Sequence, residues 1–362
     1  MAGRDFSVVM SPTLECNAAC DYCFQAHSSK RADINLLKRV FSQLRDYAVA
    51  EGIATLRMYW QGGEVLTLPT DLLEEALLAE REAFTGTDVQ LEDHLQTNLI
   101  AYSPSHRDLV ASYFGGALSS SIDYPNLYRR QAGRTAEEFT AEWLRKKDQA
   151  ESDGFRVSVI AMPNTETLEL GAEAFVRHFV HDLGIRRFQV NFPFPGAGPR
   201  PLDLDVDRLA NFYADLFDVT EAYGRELYVN PFASLKKTFH TGDKELPCIW
   251  SLSCADGLCG IGPDGTVAQC DCWLTGTGDH TFGSLAEHNM HEIMQSSHRA
   301  RFRDRSRYLL AHTDCGLCRY WSLCHGGCPV RAFAFTGKLY EKDHYCSVYK
   351  RVFERVESAA YH

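Results

Sequence analysis

Cys16-Asn17-Ala18-Ala19-Cys20-Asp21-Tyr22-Cys23 is the stretch around which the chain is organised, and its three cysteines have the spacing C-x3-C-x2-C. A 4Fe–4S cluster has four irons, and four cysteine thiolates would occupy all of them. Three thiolates leave one iron open to bind and reduce another molecule. The short spacing also lets a single loop surround the cluster. The pattern therefore predicts a reactive iron–sulfur cluster near the N-terminus, rather than three cysteines brought together by chance.

The composition is that of an ordinary folded protein. The 362 residues are 45% hydrophobic and 23% charged, which suffices for one large domain and a smaller one. A formal net charge of −11 argues against general binding to nucleic acid or to anionic membranes. No apolar run reaches 18 residues and the N-terminus has no apolar signal region, so we expect a cytoplasmic protein without a membrane span. Thirteen cysteines then favour metal or cluster binding over disulfide bonds.

Six predicted strands alternate with six predicted helices in the first two thirds of the chain. The strands are Ser7–Thr13, Ile53–Trp60, Val89–Asn98, Ala117–Asp123, Phe155–Met162 and Arg187–Phe194. The helices are Asn35–Glu51, Asp71–Phe84, Pro104–Tyr113, Ala136–Asp153, Gly171–Leu183 and Asp207–Tyr223. Thr70 or Asp71 is the expected N-cap of the second helix. This alternation predicts an α/β fold with parallel strands and right-handed crossovers. Binding sites in such folds lie at the carboxyl ends of the strands.

Polar residues follow several of the predicted strands. The second strand leads into Gln61-Gly62-Gly63-Glu64, the third ends in Gln96-Thr97-Asn98, the fourth ends in Ser120-Ser121-Ile122-Asp123, and Asn191 lies on the sixth. Each of these segments is also compatible with an ordinary turn. Together and in this order, they are expected to line one mouth of the fold.

A C-x3-C-x2-C loop after a first strand, followed by alternating strands and helices, resembles the radical S-adenosylmethionine (radical SAM) enzymes. The resemblance implies a partial (β/α)6 barrel, in which SAM binds the open iron and is cleaved to a 5′-deoxyadenosyl radical that removes a substrate hydrogen. Val65 stands where the family usually has proline after Gly-Gly-Glu. The SAM contacts that the resemblance implies are Tyr22, Gly62, Gly63, Glu64, Gln96, Asn98, Ser121, Asp123 and Asn191.

The C-terminal third is rich in cysteine, with ten of the thirteen cysteines between Cys248 and Cys346. A hairpin is predicted there from Leu258–Ile261 and Thr266–Gln269, around a Pro-Asp-Gly turn. C-x2-C spacings can bind zinc, and His325 could join such a site. The long C-x5-C spacing and the distant positions of Cys270 and Cys346 suit a zinc ribbon poorly.

Eight of these cysteines resemble the SPASM extension of some radical SAM enzymes, which implies two auxiliary 4Fe–4S clusters and three clusters in all. The implied ligand sets are Cys248, Cys254, Cys270 and Cys328 for the first, and Cys315, Cys318, Cys324 and Cys346 for the second. Full thiolate ligation leaves no open iron, so electron transfer is the role that fits. The predicted domains are a barrel at 1–224, a bridging segment at 225–247, the extension at 248–346 and a C-terminal helix at 347–362.

Asp271 and Cys272, which follow Cys270, are candidate catalytic residues. In the anaerobic sulfatase-maturing enzymes an aspartate at this position acts as the general base, which implies that role for Asp271; an exposed or turn carboxylate is the alternative. Cys259 and Cys272 are not needed as ligands of the three clusters. Each is either a buried free thiol or a ligand in place of one of the assigned cysteines. Cys272 is a candidate hydrogen-atom donor, although alternation along a strand would place it opposite Asp271.

The resemblance covers nearly the whole chain and favours an oxidoreductase that acts on a peptide or protein side chain. A dehydrogenase or epimerase of a small-molecule alcohol, such as a sugar or an aminocyclitol, is a second hypothesis, and a non-catalytic metal-binding interaction module is a third. The cluster loop begins at Cys16, which leaves no room for a leader-peptide recognition domain and counts against a peptide substrate. We expect a flavodoxin- or ferredoxin-type electron donor, and no nucleic-acid or membrane partner.

Overall fold

The structure is a computed structural model and describes residues 4–194, 204–242, 246–275 and 280–360. Within these residues the strands are β1 (Arg4–Met10), β2 (Ile53–Trp60), β3 (Gln90–Leu95), β4 (Ala117–Ser121), β5 (Arg156–Ala161), β6 (Arg187–Val190), β7 (Tyr228–Asn230), β8 (Leu258–Ile261), β9 (Thr266–Ala268) and β10 (Thr281–Ser284). The helices are α1 (Ile34–Ala50), α2 (Thr70–Phe84), α3 (Arg107–Tyr113), α4 (Ala136–Ser152), α5 (Thr165–Arg177), α6 (Val206–Ala222), α7 (Phe232–Thr241), α8 (Cys254–Gly257), α9 (Met290–Met294), α10 (Ser297–His312), α11 (Trp321–Cys324), α12 (Pro329–Thr336) and α13 (Cys346–Ala360).

The chain divides into two units. Unit 1 consists of Met1–Ser120, Arg129–Val157 and Ala255–Arg303, and unit 2 of Ser121–Tyr128, Ser158–Cys254 and Asp304–His362.

Unit 1 contains a six-stranded sheet with the order β10-β9-β8-β1-β2-β3. Strand β1 pairs in parallel with both β2 and β8, so that Val8 lies between Met58 and Cys259. All three residues are buried, as expected for a strand whose two faces are both covered. Helix α1 begins after Asp33, whose side chain accepts hydrogen bonds from the first turn and so caps the helix. The sheet therefore holds β1, and the cysteine loop that follows it, in the middle of the unit.

Strand β4 continues the parallel arrangement beyond β3. Gln96 and Ser119 form a parallel bridge, and the backbone N–H of Thr97 donates to the Ser119 carbonyl at 2.9 Å. The residues just after β2 and β3 therefore follow the carboxyl ends of neighbouring parallel strands, where the sequence predicts the site.

Unit 2 contains the parallel strands β5, β6 and β7, which pair in this order. Its interior is aromatic: Phe192 stacks on Tyr213 and makes edge contacts with Trp250 and Tyr349, which are all buried. Aromatic pairs of this kind add to the free energy gained by burying the rings.

The predicted α/β fold with parallel strands is confirmed, but several predicted boundaries are wrong. Strand β1 ends at Met10 and not at Thr13, because Pro12 has no N–H to continue a ladder. The polar residues assigned to the ends of the third and sixth strands lie in the loops that follow β3 and β6, as does Asp123 after β4, whereas Ser121 is the last residue of β4. Most of the polar residues expected to bind a ligand are thus loop residues.

Three helix predictions also differ from the structure. Helix α5 begins at Thr165 and not at Gly171, because Asn164 caps it by accepting from the Thr167 N–H, and Gly171 with φ 82° only interrupts it. Pro69 occupies the cap position of α2, so that neither Thr70 nor Asp71 is the cap. The predicted helix at 104–113 begins with a 3-10 turn before α3.

The predicted bridging segment contains two elements that the sequence analysis missed. Strand β7 pairs in parallel with β6, and α7 follows it. Three residues of strand are too few to produce a recognisable alternation of polar and apolar residues.

None of the helices in the described ranges is both long enough and apolar enough to cross a membrane.

Candidate active site

The cysteine loop is held by hydrogen bonds within itself and from a distant segment of unit 1. The backbone N–H of Ala18 donates to Cys16 Sγ at 3.4 Å, and the Cys23 N–H donates to the Cys20 carbonyl at 3.2 Å. Arg130 accepts from the Ala19 N–H at 2.7 Å through its carbonyl, and its guanidinium forms an ion pair with the buried carboxylate of Asp21. Cys16, Cys20 and Cys23 are all partly exposed, so the loop can present three thiols to a ligand.

Two glycines after β2 pack directly on the backbone that leads into the cysteine loop. The Gly63 N–H donates to the Thr13 carbonyl at 2.9 Å, and the Glu64 N–H donates to the Glu15 carbonyl at 2.8 Å. A Cβ on Gly62 would lie 2.3 Å from the Thr13 oxygen, and one on Gly63 would lie 2.2 Å from the Glu15 oxygen. Glycine is therefore required at both positions by close backbone contact, and Gly62 also has φ of 135°.

Gly63→Ala is expected to destabilise the protein by about 1–3 kcal/mol, as overpacking does, and to weaken iron binding by the cysteine loop. Gly257→Ala is the matched control, since Gly257 has no atom within 4 Å of an added Cβ and, like Gly63, no positive φ. Denaturant unfolding and iron content measure the two effects. Equal stability and equal iron content in the two variants would contradict the close contact.

Glu64 is a buried carboxylate that joins two of the loops at the strand ends. Its Oε1 accepts from the Leu66 N–H at 3.1 Å and from the Thr97 hydroxyl at 2.6 Å, and its Oε2 accepts from the Asn98 N–H at 2.6 Å. Burial raises the pKa of Glu64, and these hydrogen bonds oppose the rise. Thr97, which is not among the predicted SAM contacts, therefore helps to fix the carboxylate.

Asn98 extends from this junction to the cysteine loop. Its Nδ2 donates to Asn17 Oδ1 at 2.7 Å and lies 3.8 Å from Cys16 Sγ. The next residue, Leu99, is buried and has φ of 65°, a conformation that is strained for leucine. The strand-end loop is thus held in a conformation that brings Asn98 against the first cysteine.

Asp271 lies at the end of the β9 segment and contacts the end of β2. Its Oδ2 accepts from Gln61 Nε2 at 2.5 Å, and burial raises its pKa. Asp271–Trp273 is a 3-10 turn and not a strand, so the expectation that Cys272 points away from Asp271 is wrong. One ligand atom from each of Cys270, Asp271 and Cys272 lies within 4.8 Å of the other two.

Two residues near Cys23 were missed by the sequence analysis. His27 Nε2 lies 3.4 Å from Cys23 Sγ. The Arg129 guanidinium lies 5.3 Å from the centre of the buried Tyr22 ring and interacts electrostatically with Cys23. His27 stands four residues after Cys23, within reach of the loop, whereas no sequence pattern links Arg129 to it.

The predicted SAM contacts are divided between the two units. Tyr22, Gly62, Gly63, Glu64, Gln96 and Asn98 lie in unit 1 together with Cys16, Cys20 and Cys23, whereas Ser121, Asp123 and Asn191 lie in unit 2. In unit 2, the buried Asp123 carboxylate accepts from the Met162 N–H at 2.9 Å, and the Asn191 N–H donates to the Ala161 carbonyl at 2.9 Å.

Unit 2 contains a cavity that is lined by Cys315, Cys318, Cys324 and Cys346. These are the four cysteines that the sequence analysis assigns to the second auxiliary cluster. Lys342 and Lys350 also line the cavity and interact electrostatically with Cys346. Two carboxylates, Asp314 and Asp343, line it as well, and Asp314 pairs with Lys342. The four thiols around one cavity are the ligands that a 4Fe–4S cluster needs.

The first predicted auxiliary set is distributed over both units. Cys248, Cys254 and Cys328 lie in unit 2, and Cys270 lies in unit 1. Asp343 fixes the backbone at one of them, since its carboxylate accepts from the Cys328 N–H at 2.8 Å. Cys259 is fully buried in β8, opposite Val8 of β1.

Comparisons with known proteins agree with this arrangement. Residues 253–320 match the SPASM family, described as an iron–sulfur cluster-binding domain. The chain is 23% identical to a serine-type anaerobic sulfatase-maturating enzyme of Klebsiella aerogenes, over 90% of this chain and 80% of the relative. It is 22% identical to a cysteine-type anaerobic sulfatase-maturating enzyme of Clostridium perfringens, over 94% of this chain and 92% of the relative.

A solved structure has a similar fold over almost the whole chain. It is that of native anSMEcpe with bound AdoMet and a peptide called Kp18Cys, with a TM-score of 0.81 and 19% identity, covering 99% of both chains. At this level of identity, the likeness shows the fold.

Proposed function

Because the chain has the fold of the radical SAM enzymes and carries a SPASM domain, we propose that it is an oxidoreductase that acts on a side chain of a peptide or protein. The observation that carries the proposal is the arrangement in unit 1. The cysteine loop packs on Gly62 and Gly63. Gln61, which directly precedes these glycines, donates a hydrogen bond to Asp271. The three-thiol loop, the backbone of two glycines and a half-buried carboxylate thus all contact the segment that follows β2.

Cys16, Cys20 and Cys23 would hold the first 4Fe–4S cluster, and the predicted SAM contacts would hold SAM beside it. Bound together, these groups would supply the radical chemistry that removes a hydrogen atom from the substrate. The Gly62–Gly63 backbone leaves no side chain between β2 and the cysteine loop, and Asn98 is positioned beside Cys16. These residues would position the cysteine loop and the groups bound to it.

Asp271 would take up the proton that the substrate loses during oxidation. Its carboxylate is half-buried, and Gln61 donates to one of its oxygens. A positioned carboxylate of raised pKa is a good proton acceptor. The electron lost at the same time would pass to the two auxiliary clusters, held by Cys248, Cys254, Cys270 and Cys328 and by Cys315, Cys318, Cys324 and Cys346. An external flavodoxin- or ferredoxin-type protein would supply the electron that starts the reaction.

The position of Cys272 supports a second outcome of the same reaction. Its sulfur lies within 4.8 Å of a carboxylate oxygen of Asp271. A thiol there could return a hydrogen atom to the substrate carbon, which would give epimerisation instead of oxidation. A small-molecule alcohol is the substrate that the sequence analysis associates with this chemistry.

The substrate class is tested with the anaerobically reconstituted protein, SAM and a reductant. Peptides that contain serine or cysteine are expected to raise 5′-deoxyadenosine formation at least tenfold over the rate without substrate, and to become lighter by two hydrogens. The control peptides carry alanine at the reacting position. Stimulation by sugars or aminocyclitols with no change in any peptide would contradict the proposal. A protein that holds zinc and no iron would favour the third hypothesis, a non-catalytic metal-binding interaction module.

A further inference from the structure

Arg305 of α10 is a buried cation held by four main-chain carbonyls of unit 2. Its side chain is 3% exposed. Its Nε donates to the Leu339 carbonyl at 2.9 Å and its Nη1 to the Gly327 carbonyl at 2.8 Å, while its Nη2 donates to the carbonyls of Gly326 at 2.9 Å and Glu341 at 2.6 Å. These carbonyls accept four hydrogen bonds from the guanidinium, but they carry no formal charge and so do not neutralise it.

The carboxylate of Asp343 interacts with Arg305 electrostatically but forms its ion pair elsewhere. Arg331 Nε lies 3.0 Å from Asp343 Oδ2, and the side chains of both residues are 1% exposed. The charges of Arg331 and Asp343 offset one another. The positive charge of Arg305 is therefore the net charge of these three side chains.

Arg305 binds the short loop that joins two cluster ligands, Cys324 and Cys328. The three residues between them all have left-handed backbones, with φ of 50° at His325, 89° at Gly326 and 71° at Gly327. A Cβ on Gly326 would lie 2.4 Å from Leu309 Cδ1, and one on Gly327 would lie 2.4 Å from Asp343 Cβ. The loop thus has little room to move, and its carbonyls point to the guanidinium.

The guanidinium also interacts electrostatically with thiols from both predicted auxiliary sets. Its electrostatic interactions include Cys328 and Cys254 of the first set and Cys324 of the second. One fixed positive charge therefore acts on ligands of both sets. Burial removes most of the screening by water, so the interaction is stronger than it would be at the surface.

We propose that Arg305 is a positioning residue that raises the reduction potential of both auxiliary clusters. A fixed positive charge stabilises the form of a neighbouring group that carries one more electron. Arg305 would make both clusters better acceptors for the electron that the substrate gives up. This inference rests on the proposed function, because it requires that the eight C-terminal cysteines hold clusters.

The test compares Arg305→Gln, which removes the charge, with Arg305→Lys, which keeps it. Both are made in a chain with Cys16, Cys20 and Cys23 replaced by alanine, so that only the auxiliary clusters contribute to the signal. Redox titration monitored by electron paramagnetic resonance gives the potentials. Arg305→Gln is expected to change the ratio of oxidised to reduced cluster at a set potential by about tenfold, equal to 59 mV for one electron, in the negative direction. Arg305→Lys is expected to keep the original potentials.

Arg299 offers a matched control on the same helix. It is also 3% exposed and donates to main-chain carbonyls, those of Met294 and Ala255. Its electrostatic interactions are with Tyr47, Cys259, Arg303 and Asp256, none of which is an assigned cluster ligand. Arg299→Gln should therefore leave the potentials unchanged, even if it lowers the stability.

Unchanged potentials in an iron-loaded Arg305→Gln variant would overturn the proposal, as would an equal shift in Arg299→Gln. If Arg305→Gln loses iron, Arg305→Lys decides: original potentials support the role of the charge, whereas a negative shift, or loss of iron from this variant too, overturns it. A parent chain without C-terminal iron would instead contradict the proposed function.

Discussion

Replacing Cys16, Cys20 and Cys23 together with alanine is expected to abolish 5′-deoxyadenosine formation and to lower bound iron from about twelve to about eight atoms per chain. The reason is that a cluster held by three thiolates leaves one iron open, and SAM is expected to bind and be cleaved at that iron. The three cysteines lie on one loop, fixed by Arg130 and by the close contact with Gly62 and Gly63. The auxiliary clusters use other cysteines and should remain.

Cys259→Ala is the control for the loss of a cysteine as such, because Cys259 is buried in β8 and is outside all three ligand sets. It should keep about twelve irons and its SAM cleavage. Iron analysis and chromatography of the nucleoside product measure both quantities. Undiminished 5′-deoxyadenosine formation by the triple variant would contradict the assignment of the cysteine loop, and loss of four irons from Cys259→Ala would contradict the ligand sets.

Asp271→Asn is expected to lower product formation by a factor of about 10²–10⁴ while 5′-deoxyadenosine is still formed. Asparagine has nearly the same shape and can still accept from Gln61, but it is a very poor proton acceptor. Removal of the substrate hydrogen should therefore continue, and the following loss of a proton should fail. The ratio of peptide product to 5′-deoxyadenosine isolates this step.

Asp264→Asn is the matched control, since Asp264 lies in the turn between β8 and β9 and pairs with Lys30 at the surface. This variant should keep the original ratio of product to 5′-deoxyadenosine. Full product formation by Asp271→Asn would show that another base, or water, accepts the proton.

The cysteine loop could be predicted from the sequence because its chemistry depends on local spacing, and three cysteines within eight residues form one loop. The Gly-Gly pair after β2 is visible in the sequence as a turn or, by the resemblance, as a SAM contact, but its close packing on the backbone of Thr13 and Glu15 is not. The parallel strands could be predicted for the same reason as the cysteine loop, since their alternation with helices is a local pattern.

Long-range contacts could not be predicted in this way. Gln61 and Asp271 are 210 residues apart, and nothing in either segment indicates the hydrogen bond between them. The strand-forming residues of Thr266–Gln269 predict an extended chain through Asp271, whereas the structure has a 3-10 turn there, in which the Cys272 sulfur lies within 4.8 Å of an Asp271 oxygen. No sequence pattern indicates that Arg305 is buried in unit 2, because its acceptors are backbone carbonyls that any sequence could supply.

The central claim, oxidation of a peptide side chain, is tested most directly by running the reaction in deuterated water and weighing the peptide by mass spectrometry. The account predicts a product lighter by two hydrogens, without deuterium at carbon, formed together with 5′-deoxyadenosine. Asp271 next to Cys270 favours this result. A product of unchanged formula that carries one solvent deuterium at carbon, and that is lost in Cys272→Ala, would contradict it.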